Sequence, residues 1–541
     1  MPSTPTTKSQ VQAYQFVLRR MQSALVRRDA VMLHDPMRTH TRATIVGIVL
    51  AALGVLVFVI WGLLSPKPSV PEAGNIVIGE QSGTVYVVAG NPKKLIPTFN
   101  LASARLLIIA QSKQGAQQAG SKPSGPAQAS EVKNPTVVSD EQLKNIPRGQ
   151  LMGIPNGPQL MPTEGQRVAP DWGVCDEVMY DPTVPRPDLT KTETTVYAGV
   201  KQLGNRELGQ NEALMARGAN GRIYLIYRLA SNPNLPNANA VKAEIKPDAS
   251  AVLSALKLPD QPRGISQGLL DAIPEVPELK QPDVTGKGEN PSFEIEGMKV
   301  GDVFSTEQAE GRKDFHLITR EGIQSISPAV ADIVQTGKND GSTSVMSVAL
   351  GKIRNVTRVA AGQPGFIELD AYPQTVPTVL NATQGSRVSC LSWSITGDGN
   401  SRDGHTAVFV DDKLPKGRNA DGSAPGVKIG TPGPVGAPIN SFFMEPGFAA
   451  VVQSATGKET FDKGPIQLIS DRGIRYGIPD AVTADSIGLN KRVPAPESIV
   501  RILPVGASLN TQDVLRAFDT VPIDDRAGSV ATQGQQPPAG N

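Results

Sequence analysis

"TVYVVAGNPKKLIPTFNLASARLLI", residues 84–108, opens with an alternating run of β-branched and aromatic residues, turns at Gly90-Asn91, and resumes as a second short apolar run. This order is typical of a β-hairpin that leads into a helix. Glycine in the turn and proline near the start of the helix are the positions where these two residues cost least. Three later stretches repeat the order: "RIYLIYRLASNPNLPNANAVKAEI" (222–245), "DFHLITREGIQSISPAVADIVQT" (314–336) and "GPIQLISDRGIRYGIPDAVTADSIGL" (464–489). The sequence therefore predicts four copies of one small unit.

A second pattern, a short helix that ends in a proline-containing strand, follows three of these hairpins. Its members are "NIPRGQLMGIPNGPQLMP" (145–162), "DQPRGISQGLLDAIPEVPEL" (260–279) and "VPAPESIVRILPVGASL" (493–509). One unit would then consist of strand, turn, strand, helix and closing strand. A unit of this size buries little apolar surface alone, so we expect neighbouring units to pack together.

The repeats are unevenly spaced, and the two long segments between them hold the two cysteines, Cys175 and Cys390. In an oxidising compartment an even pair is typical of a disulfide, and two separate free thiols are the alternative. The runs "DWGVC" (171–175) and "VSCLSW" (388–393) have the pattern of core strands. We therefore predict a central domain in which a disulfide joins these two runs.

The predicted fold class is α+β: one N-terminal transmembrane helix, then an elongated extracytoplasmic domain of four small α/β repeats around a disulfide-stapled, β-rich central domain. Gly and Pro together make up about 18% of the chain, well above average usage, which favours many short strands and turns. The predicted boundaries are a leader (1–42), the transmembrane helix (43–64), the first repeat (76–165, with a disordered insert at 111–134), the first part of the central domain (166–218), the second repeat (219–285), the third repeat (290–360), the second part of the central domain (361–452), the fourth repeat (453–524) and a disordered tail (525–541).

Residues 43–64 contain no Asp, Glu, Lys, Arg or His, and a helix of this length crosses the ~30 Å hydrocarbon core of a bilayer. A cleaved signal peptide is the poorer interpretation, because the leader is long and "SPKP" (65–68) stands where a cleavage site would be. The leader carries seven basic and two acidic residues, an excess that stays on the cytoplasmic side. We therefore expect a single-pass protein of the plasma membrane, with a cytoplasmic N-terminus and the bulk of the chain in the periplasm.

The leader itself has helical periodicity. An apolar stripe is formed by Tyr14, Val17, Leu18, Met21 and Leu25, at spacings that place them on one face. We interpret the stripe as a partner-docking surface. The alternative is a helix that lies on anionic lipid, which the neighbouring arginines would favour.

The sequence offers little to support catalysis. "GISQG" (264–268) matches the G-x-S-x-G nucleophile pattern, but that motif needs a central strand before it, and "LPDQPR" cannot form one. None of the four Gly-Lys pairs lies in a G-x-x-x-x-G-K-[ST] phosphate loop. The loop "TGDGNSRDGHT" (396–406) lacks the spacing and closing Glu of a calcium loop, and four His and one Cys pair form no metal-ligand cluster. We predict no catalytic residues, no metal and no cofactor. The formal charge of +2, about −3 without the leader, also argues against nucleic acid as a partner.

Several motifs together resemble the EccB family, the single-pass membrane component of the type VII (ESX) secretion system of mycobacteria and related actinobacteria. They are "QVQAYQFVLRRMQSALVRRD" (10–29), "DPMRTHTRA" (35–43), "YVVAGNPKKLIPTFNLASARLL" (86–107), "IPRGQLMGIPNGPQ" (146–159), "DWGVCDEV" (171–178), "LDAYPQTV" (369–376), "VSCLSWS" (388–394) and "RILPVGASLNTQDVLRAFDTVPID" (501–524). The resemblance does not cover the insert at 111–134 or the tail at 525–541, whose compositions are typical of disorder.

The resemblance implies a structural core component of the secretion complex, assembled around the channel on the outer side of the membrane. It implies EccC, EccD, EccE, the MycP protease and further EccB copies as partners, with EccC as the motor. Family members are often described as ATPases, so ATP is implied by the resemblance alone. The alternative function is an ATPase or an envelope receptor for nucleotide or peptidoglycan, which no motif supports.

Overall fold

The computed structural model describes residues 7–28, 36–64, 70–118, 131–229, 235, 238–295, 297–308, 311–338, 344–430 and 438–522. It divides into two compact units, Met1–Val70 and Pro71–Asn541. We call the second unit the main body. The predicted tail at 525–541 lies outside the described residues.

The α-helices of the described residues are α1 (Lys8–Arg27), α2 (Pro36–Leu64), α3 (Leu101–Gln118), α4 (Asp140–Leu143), α5 (Ser250–Ala255), α6 (Gln267–Ala272), α7 (Pro328–Thr336), α8 (Ala481–Ser486) and α9 (Glu497–Val500). The strands are β1 (Asn75–Gly79), β2 (Val85–Ala89), β3 (Lys94–Thr98), β4 (Thr136–Val138), β5 (Leu151–Met152), β6 (Trp172–Val178), β7 (Thr192–Ala198), β8 (Arg206–Glu207), β9 (Glu212–Arg217), β10 (Ile223–Arg228), β11 (Ala240–Ile245), β12 (Arg263–Gly264), β13 (Glu275–Val276), β14 (Val303–Glu307), β15 (Lys313–Ile318), β16 (Ile323–Ile326), β17 (Met346–Ser347), β18 (Thr378–Val379), β19 (Val388–Thr396), β20 (Asp403–Asp411), β21 (Val427–Lys428), β22 (Ser441–Phe443), β23 (Ala449–Ala455), β24 (Ile466–Ser470), β25 (Arg475–Ile478), β26 (Val493–Pro496) and β27 (Ala517–Phe518).

Four sheets in the described part of the main body share one strand order. In each, three antiparallel strands are followed by a helix and by a fourth strand that pairs in parallel with the first. We call these arrangements module 1 (β1–β5), module 2 (β9–β13), module 3 (β14–β17) and module 4 (β23–β26). Their orders are β3-β2-β1-β4, β11-β10-β9-β12, β16-β15-β14-β17 and β25-β24-β23-β26.

A short helix and a closing segment complete each module. The helix is α4, α6, a 3-10 turn at Leu350–Ile353 or α9, and the closing segment pairs in parallel with the third strand of the module. Module 3 has this closing part although the sequence pattern identified it in three units. Its segment "MSVALGKIRNVTR" (346–358) has no proline, and proline was the signal on which the pattern depended.

Each sheet starts one strand earlier than the hairpin that the sequence pattern recognised. Strand β9 pairs with β10 and belongs to module 2, whereas the predicted boundary placed it in the central domain. Strand β23 belongs wholly to module 4, so the predicted boundary at residue 453 cuts through it. The turn between β9 and β10 contains Asn220-Gly221, a hairpin signal that the sequence pattern did not use. Strand β23 lacks such a short turn, because residues 456–465 separate it from β24.

The predicted disordered insert also begins differently in the structure. Helix α3 continues through residues 111–118, where Gln, Lys and Ala are adequate helix formers. Once a helix has nucleated, each added residue costs little. Residues 119–130 lie outside the described residues.

The modules pack in pairs. Modules 1 and 4 share an apolar core, and the guanidinium of Arg105 on α3 donates to the carbonyl of Ile487 at 2.7 Å. Modules 2 and 3 share another core, in which α5 meets α7. Modules 2 and 4 meet through α6 and α9, where Arg501 Nη2 lies 2.7 Å from Asp271 Oδ2. The resulting order of contacts is module 1, module 4, module 2, module 3.

The fifth sheet of the described residues is the central one, with the order β21-β22-β7-β6-β19-β20-β8. Its middle strands β6 and β19 are antiparallel, and Cys175 stands directly opposite Cys390. The two cysteines form a disulfide, as predicted. One face of the sheet holds the disulfide and Tyr197 in a small cluster, and the other face packs against modules 2 and 4.

Replacing both cysteines by serine should destabilise the main body substantially. The bridge closes a loop of 215 residues, which corresponds to on the order of 5 kcal/mol in the chain-entropy model. Urea unfolding of the purified full-length protein would measure the loss, with the exposed-site variant Val184→Ala as a control that leaves stability unchanged. Mass spectrometry that finds both thiols free in protein from native membranes would contradict the prediction.

The stability of the protein should fall as the pH drops below about 6.5, because of His316. This side chain is buried on β15, and its Nε2 lies 3.1 Å from Thr306 Oγ1. Burial lowers the pKa of His316, with Arg358 acting in the same direction and Asp314 opposing. The unfolded chain therefore binds the proton first, and the free energy of unfolding decreases as the pH falls towards the folded pKa.

The variant His316→Gln should lose this component of the pH dependence. Urea unfolding at several pH values between 5 and 8 would measure the difference between the variant and the unchanged protein. Identical slopes for both proteins would contradict the assignment to His316.

Candidate functional site

Helix α1 presents the predicted apolar stripe to solvent within its own unit. Thr7 and Gln10 form a capping box at its start, and Arg28 ends it in a left-handed conformation. The five stripe residues are all exposed: Tyr14 67%, Val17 50%, Leu18 39%, Met21 52% and Leu25 81%. An exposed stripe of this size on a surface helix is suited to bind another apolar surface.

Helix α2 has the length and composition of a membrane span. Its apolar section runs from Thr41 to Gly62, 22 residues, and it is the one such helix among the described residues. The predicted span at 43–64 overlaps all but the first two residues of this section. Both N-terminal helices therefore expose apolar side chains within their own unit.

The main body contains a buried polar junction where module 2 meets the central sheet. Arg263 on β12 donates from Nη1 to the carbonyl of Ser386 at 2.7 Å and from Nη2 to the carbonyl of Arg387 at 2.8 Å. Asp176 on β6 is completely buried. Its carboxylate accepts hydrogen bonds from Thr194 Oγ1 at 2.8 Å and from the backbone N–H of Ser266 at 2.6 Å.

Burial opposes the charged form of both ionisable groups in this junction. It raises the pKa of Asp176, while the hydrogen bonds from Ser266 and Thr194 and the charge of Arg263 lower it. Burial lowers the pKa of Arg263 to about 10, with Asp176 opposing. The hydrogen bonds of Arg263 and Asp176 join four chain segments, which are β6, β7, the chain leading into β19, and module 2. The junction therefore holds these segments in register.

Ser266 has a structural task in this junction. Its Oγ accepts a hydrogen bond from the N–H of Leu269 at 3.1 Å and so caps α6. The histidines of the described main body lie elsewhere: His405 contacts Asn239, and His316 contacts Thr306. In the described main body Ser266 therefore lies next to the buried carboxylate of Asp176 and caps α6, and neither His316 nor His405 contacts it.

The second sequence pattern treats "RGQLMG" (148–153) and "RGISQG" (263–268) as corresponding segments, but the structure separates them. Arg263 lies in the fourth strand of module 2, beside β9, whereas Arg148 pairs with Leu95 in the closing segment of module 1. The two Arg-Gly pairs occupy different places in the module, because the shared letters come from the turn chemistry and not from the topology.

A second buried carboxylate lies on the disulfide face of the central sheet. Glu177 Oε1 is 3.2 Å from Arg387 Nε, and Glu177 Oε2 is 2.5 Å from Arg418 Nη2. Arg418 belongs to the loop between β20 and β21, whose Leu414 packs into the cluster around the disulfide. The ion pairs therefore fasten this loop over the disulfide.

A cleft of about 510 Å³ lies where the β19–β20 hairpin meets modules 2 and 4. Trp393 and Phe461 form part of its lining and meet edge to face, with ring centroids 6.3 Å apart. Its charged lining residues are Asp403, Lys458 and Glu459, and its described lining contains no His or Cys. The cleft is therefore lined by an aromatic pair and by charges of both signs.

The loop that was compared with a calcium site is the end of this hairpin. Strands β19 and β20 pair across it in register, and Arg402 Nη2 is 2.6 Å from Asp462 Oδ2 of module 4. Across the described residues, no group of three or more His, Cys, Asp and Glu side chains could hold a metal ion. The acidic residues of the loop therefore form a turn that is attached to module 4.

The matches to known proteins extend along the chain from α1 to β27. The family model described as "Type VII secretion system ESX-1, transport TM domain B" matches residues 3–523. The chain is 28% identical over 536 residues to a protein of Mycobacterium tuberculosis named "ESX-5 secretion system ATPase EccB5", with 96% of this chain and 95% of that protein covered.

Two solved structures share the fold. A chain of the intact ESX-5 inner membrane complex aligns with a TM-score of 0.67 and 26% identity, over 98% of this chain and 99% of that one. A chain of the periplasmic assembly from the same complex aligns with a TM-score of 0.65 and 25% identity, over 87% of this chain and 100% of that one. With its family model matched from residue 3 to residue 523, the chain belongs to the EccB family of type VII secretion systems.

Proposed function

We propose that this chain is a structural core component of a type VII secretion membrane complex. The observation that carries the proposal is the match over 98% of the chain to a subunit of an ESX inner membrane complex. The match covers the N-terminal helices as well as the main body.

The proposed orientation places the leader in the cytoplasm and the main body in the periplasm. Its basis is the excess of basic residues before α2, since such residues remain on the cytoplasmic side of a first membrane helix. The disulfide supports the same orientation, because disulfides persist in oxidising compartments outside the cytoplasm.

In this proposal the main body is built from four copies of one unit around the disulfide-bonded central sheet. The shared strand order of the four modules supports this view. The copies would provide the surfaces for assembly with other EccB chains, EccC, EccD, EccE and the MycP protease.

We propose further that ATP hydrolysis belongs to a partner, with EccC as the motor. The relatives carry the word ATPase in their names, but this sequence has no G-x-x-x-x-G-K-[ST] loop whose backbone amides would hold phosphates. A main body in the periplasm would also have little access to ATP.

Affinity purification of the tagged full-length chain from native membranes tests the assignment. We expect a large complex that contains other secretion components and several copies of this chain, identified by mass spectrometry and native gel migration. A chain that purifies as a monomer after gentle solubilisation, with no other membrane protein, would contradict the assignment.

The stripe on α1 should be required for assembly but not for membrane insertion. The double variant Leu18→Asp with Met21→Asp places two charges in the proposed docking surface, and burial of unpaired charges is strongly unfavourable. We expect this variant to remain in the membrane fraction and to be lost from the purified complex.

The double variant Gln12→Asp with Ser23→Asp is the matched control, since these positions lie on the opposite face of the helix at 100° per residue. It adds the same charge and should leave the complex intact. An intact complex with both stripe variants in place would show that α1 is not the dock; loss from the membrane fraction would favour lipid as the surface that α1 binds.

A further inference from the structure

We infer that residues 413–425, in the loop between β20 and β21, form a strap whose local opening controls the access of thiols to the Cys175–Cys390 disulfide. The inference goes beyond the proposed function and does not depend on it, since it concerns the central sheet alone. It states which part of the chain must move before the disulfide is reduced.

The strap is part of the cover of the apolar cluster around the disulfide. Cys175 is 0% exposed and Cys390 is 1% exposed, so a reductant in solution reaches neither residue while the cover is in place. Leu414 and Ala424, near the two ends of the strap, are buried in the same cluster. Residues 416–423 between them are exposed. The strap therefore contacts the cluster near its ends and has its middle in solvent.

A buried carboxylate holds the middle of the strap to the sheet. Glu177 Oε2 accepts a hydrogen bond from Arg418 Nη2 at 2.5 Å, and the exposed fractions of the two side chains are 4% and 32%. Arg387 Nε lies 3.2 Å from the other carboxylate oxygen of Glu177. Glu177 therefore keeps one cationic partner when Arg418 leaves. Because no buried charge is left unpaired, the free energy of opening is lower than for an isolated buried ion pair.

The backbone of the strap is bonded mainly to itself. Tyr197 on β7 donates from its hydroxyl to the carbonyl of Pro415 at 3.2 Å. Among the described residues, the hydrogen bonds that join two backbone groups of the strap are internal to it: Gly417 donates to Leu414, Asn419 to Ser423 and Gly422 to Asn419. A segment with few bonds to its neighbours opens at a lower free energy than the whole structure unfolds.

Both ends of the strap stay on the central sheet. Strand β20 pairs with β19 as far as Asp411, just before the strap. After the strap, Gly426 has a φ of +88°, and a Cβ there would lie 2.2 Å from the carbonyl oxygen of Phe442 on β22. Glycine allows this close approach of two backbones. Opening is therefore confined to the residues between these two points.

The rest of the cover is attached to the strands themselves. Val200 and Leu203, between β7 and β8, belong to the same cluster. Leu203 is completely buried, and its side chain occupies the space that a Cβ on Gly173 of β6 would take. The N–H of Asn205 donates to Asp411 Oδ2 of β20 at 2.9 Å. Because this segment is fastened to β6 and β20, we assign the opening to the strap.

The chemistry that the strap controls is thiol–disulfide exchange. A thiolate of a dithiol attacks one sulfur of the bridge, forms a mixed disulfide with it and releases the other cysteine as a thiolate. The second thiolate of the reagent then displaces the first cysteine, so the protein disulfide gains two electrons and the dithiol becomes a cyclic disulfide. The attacking sulfur must touch the bridge, so a covered bridge reacts only from an opened state.

Reduction of the purified full-length protein by dithiothreitol tests the inference. Samples are quenched with acid and alkylated with a maleimide-linked polyethylene glycol, and gel mobility gives the reduced fraction over time. We expect Arg418→Gln to be reduced roughly tenfold faster than the unchanged protein, because a hydrogen bond between two charged groups no longer opposes opening. Leu414→Ala should also be reduced faster, since it removes an apolar contact of the strap.

The matched control is Arg402→Gln, at the opposite end of β20. Arg402 Nη2 lies 2.6 Å from Asp462 Oδ2, and the Arg402 side chain is 28% exposed. The control therefore makes the same change in an ion pair of similar length and exposure that does not involve the strap. We expect its disulfide to be reduced at the rate of the unchanged protein.

The urea dependence of the reduction rate separates local opening from global unfolding. The effect of urea scales with the surface that an opening exposes, so opening of the strap should give a much smaller slope than the global unfolding of the same protein. The inference is overturned if Arg418→Gln is reduced no faster than the unchanged protein, or if Arg402→Gln gains as much. It is also overturned if the two urea slopes are equal, or if no variant is reduced below its unfolding transition.

Discussion

Strands β6 and β19 pair across a sequence separation of 215 residues, with the Cys175–Cys390 disulfide in the middle of the pairing. The chain between the two cysteines contains modules 2 and 3, and the chain outside them contains modules 1 and 4. Closing so long a loop costs conformational entropy, which local structure alone does not offset. The burial of the central strands on both faces offsets this cost, and the disulfide reduces it by restricting the unfolded chain. The packing of module 2 on module 4 depends on this closure, because it brings α6 and α9 together beneath β6.

The junction of Asp176 and Arg263 lies beside the pairing of β6 with β19, and it also joins module 2 to the central sheet. Removing two charged groups from water is expensive, and hydrogen bonds to both groups are needed to offset the cost. Here the carboxylate accepts hydrogen bonds from Thr194 and Ser266, and both terminal nitrogens of the guanidinium donate to carbonyls just before β19. The Nε of Arg263 is buried without a partner among the described residues. An alternative register of β6 or β19 would leave these groups buried and unpaired. The junction therefore selects one register, which a purely apolar contact would specify less strictly.

The modules use one topology for different tasks, according to their neighbours. The fourth strands and short helices of modules 2 and 4 are covered by the central sheet and by each other. The fourth strand is terminal in the sheet of every module, but those of modules 1 and 3 carry the exposed side chains Val137 and Met346. We propose that the exposed strands of modules 1 and 3 are surfaces for assembly, because a terminal strand offers backbone groups to a partner. Anchoring by a membrane helix suits such surfaces, because a shared membrane raises the local concentration of the copies.

The sequence by itself determined the features that depend on short-range chemistry. The uncharged run within α2, the turns at Gly90 and Gly473, and the apolar period of α1 are all readable from neighbouring residues. The sequence also predicted the bond between Cys175 and Cys390, with two free thiols as the alternative, and the structure contains the disulfide. The resemblance to EccB supplied the family, which the comparisons confirmed.

Tertiary structure alone decided the features that depend on partners far along the chain. Strand β9 lies in module 2 although the predicted boundary left it in the central domain, and β23 spans the predicted boundary at residue 453. The pairing of β23 with β24 is decided by the sheet, because residues 456–465 separate the two strands. Arg263 shows nothing in its local sequence that predicts burial beside Asp176, and β27 shows nothing that predicts its place on module 1. In each case the free energy comes from pairing and desolvation between segments that are distant in sequence, and neither is encoded in a local pattern.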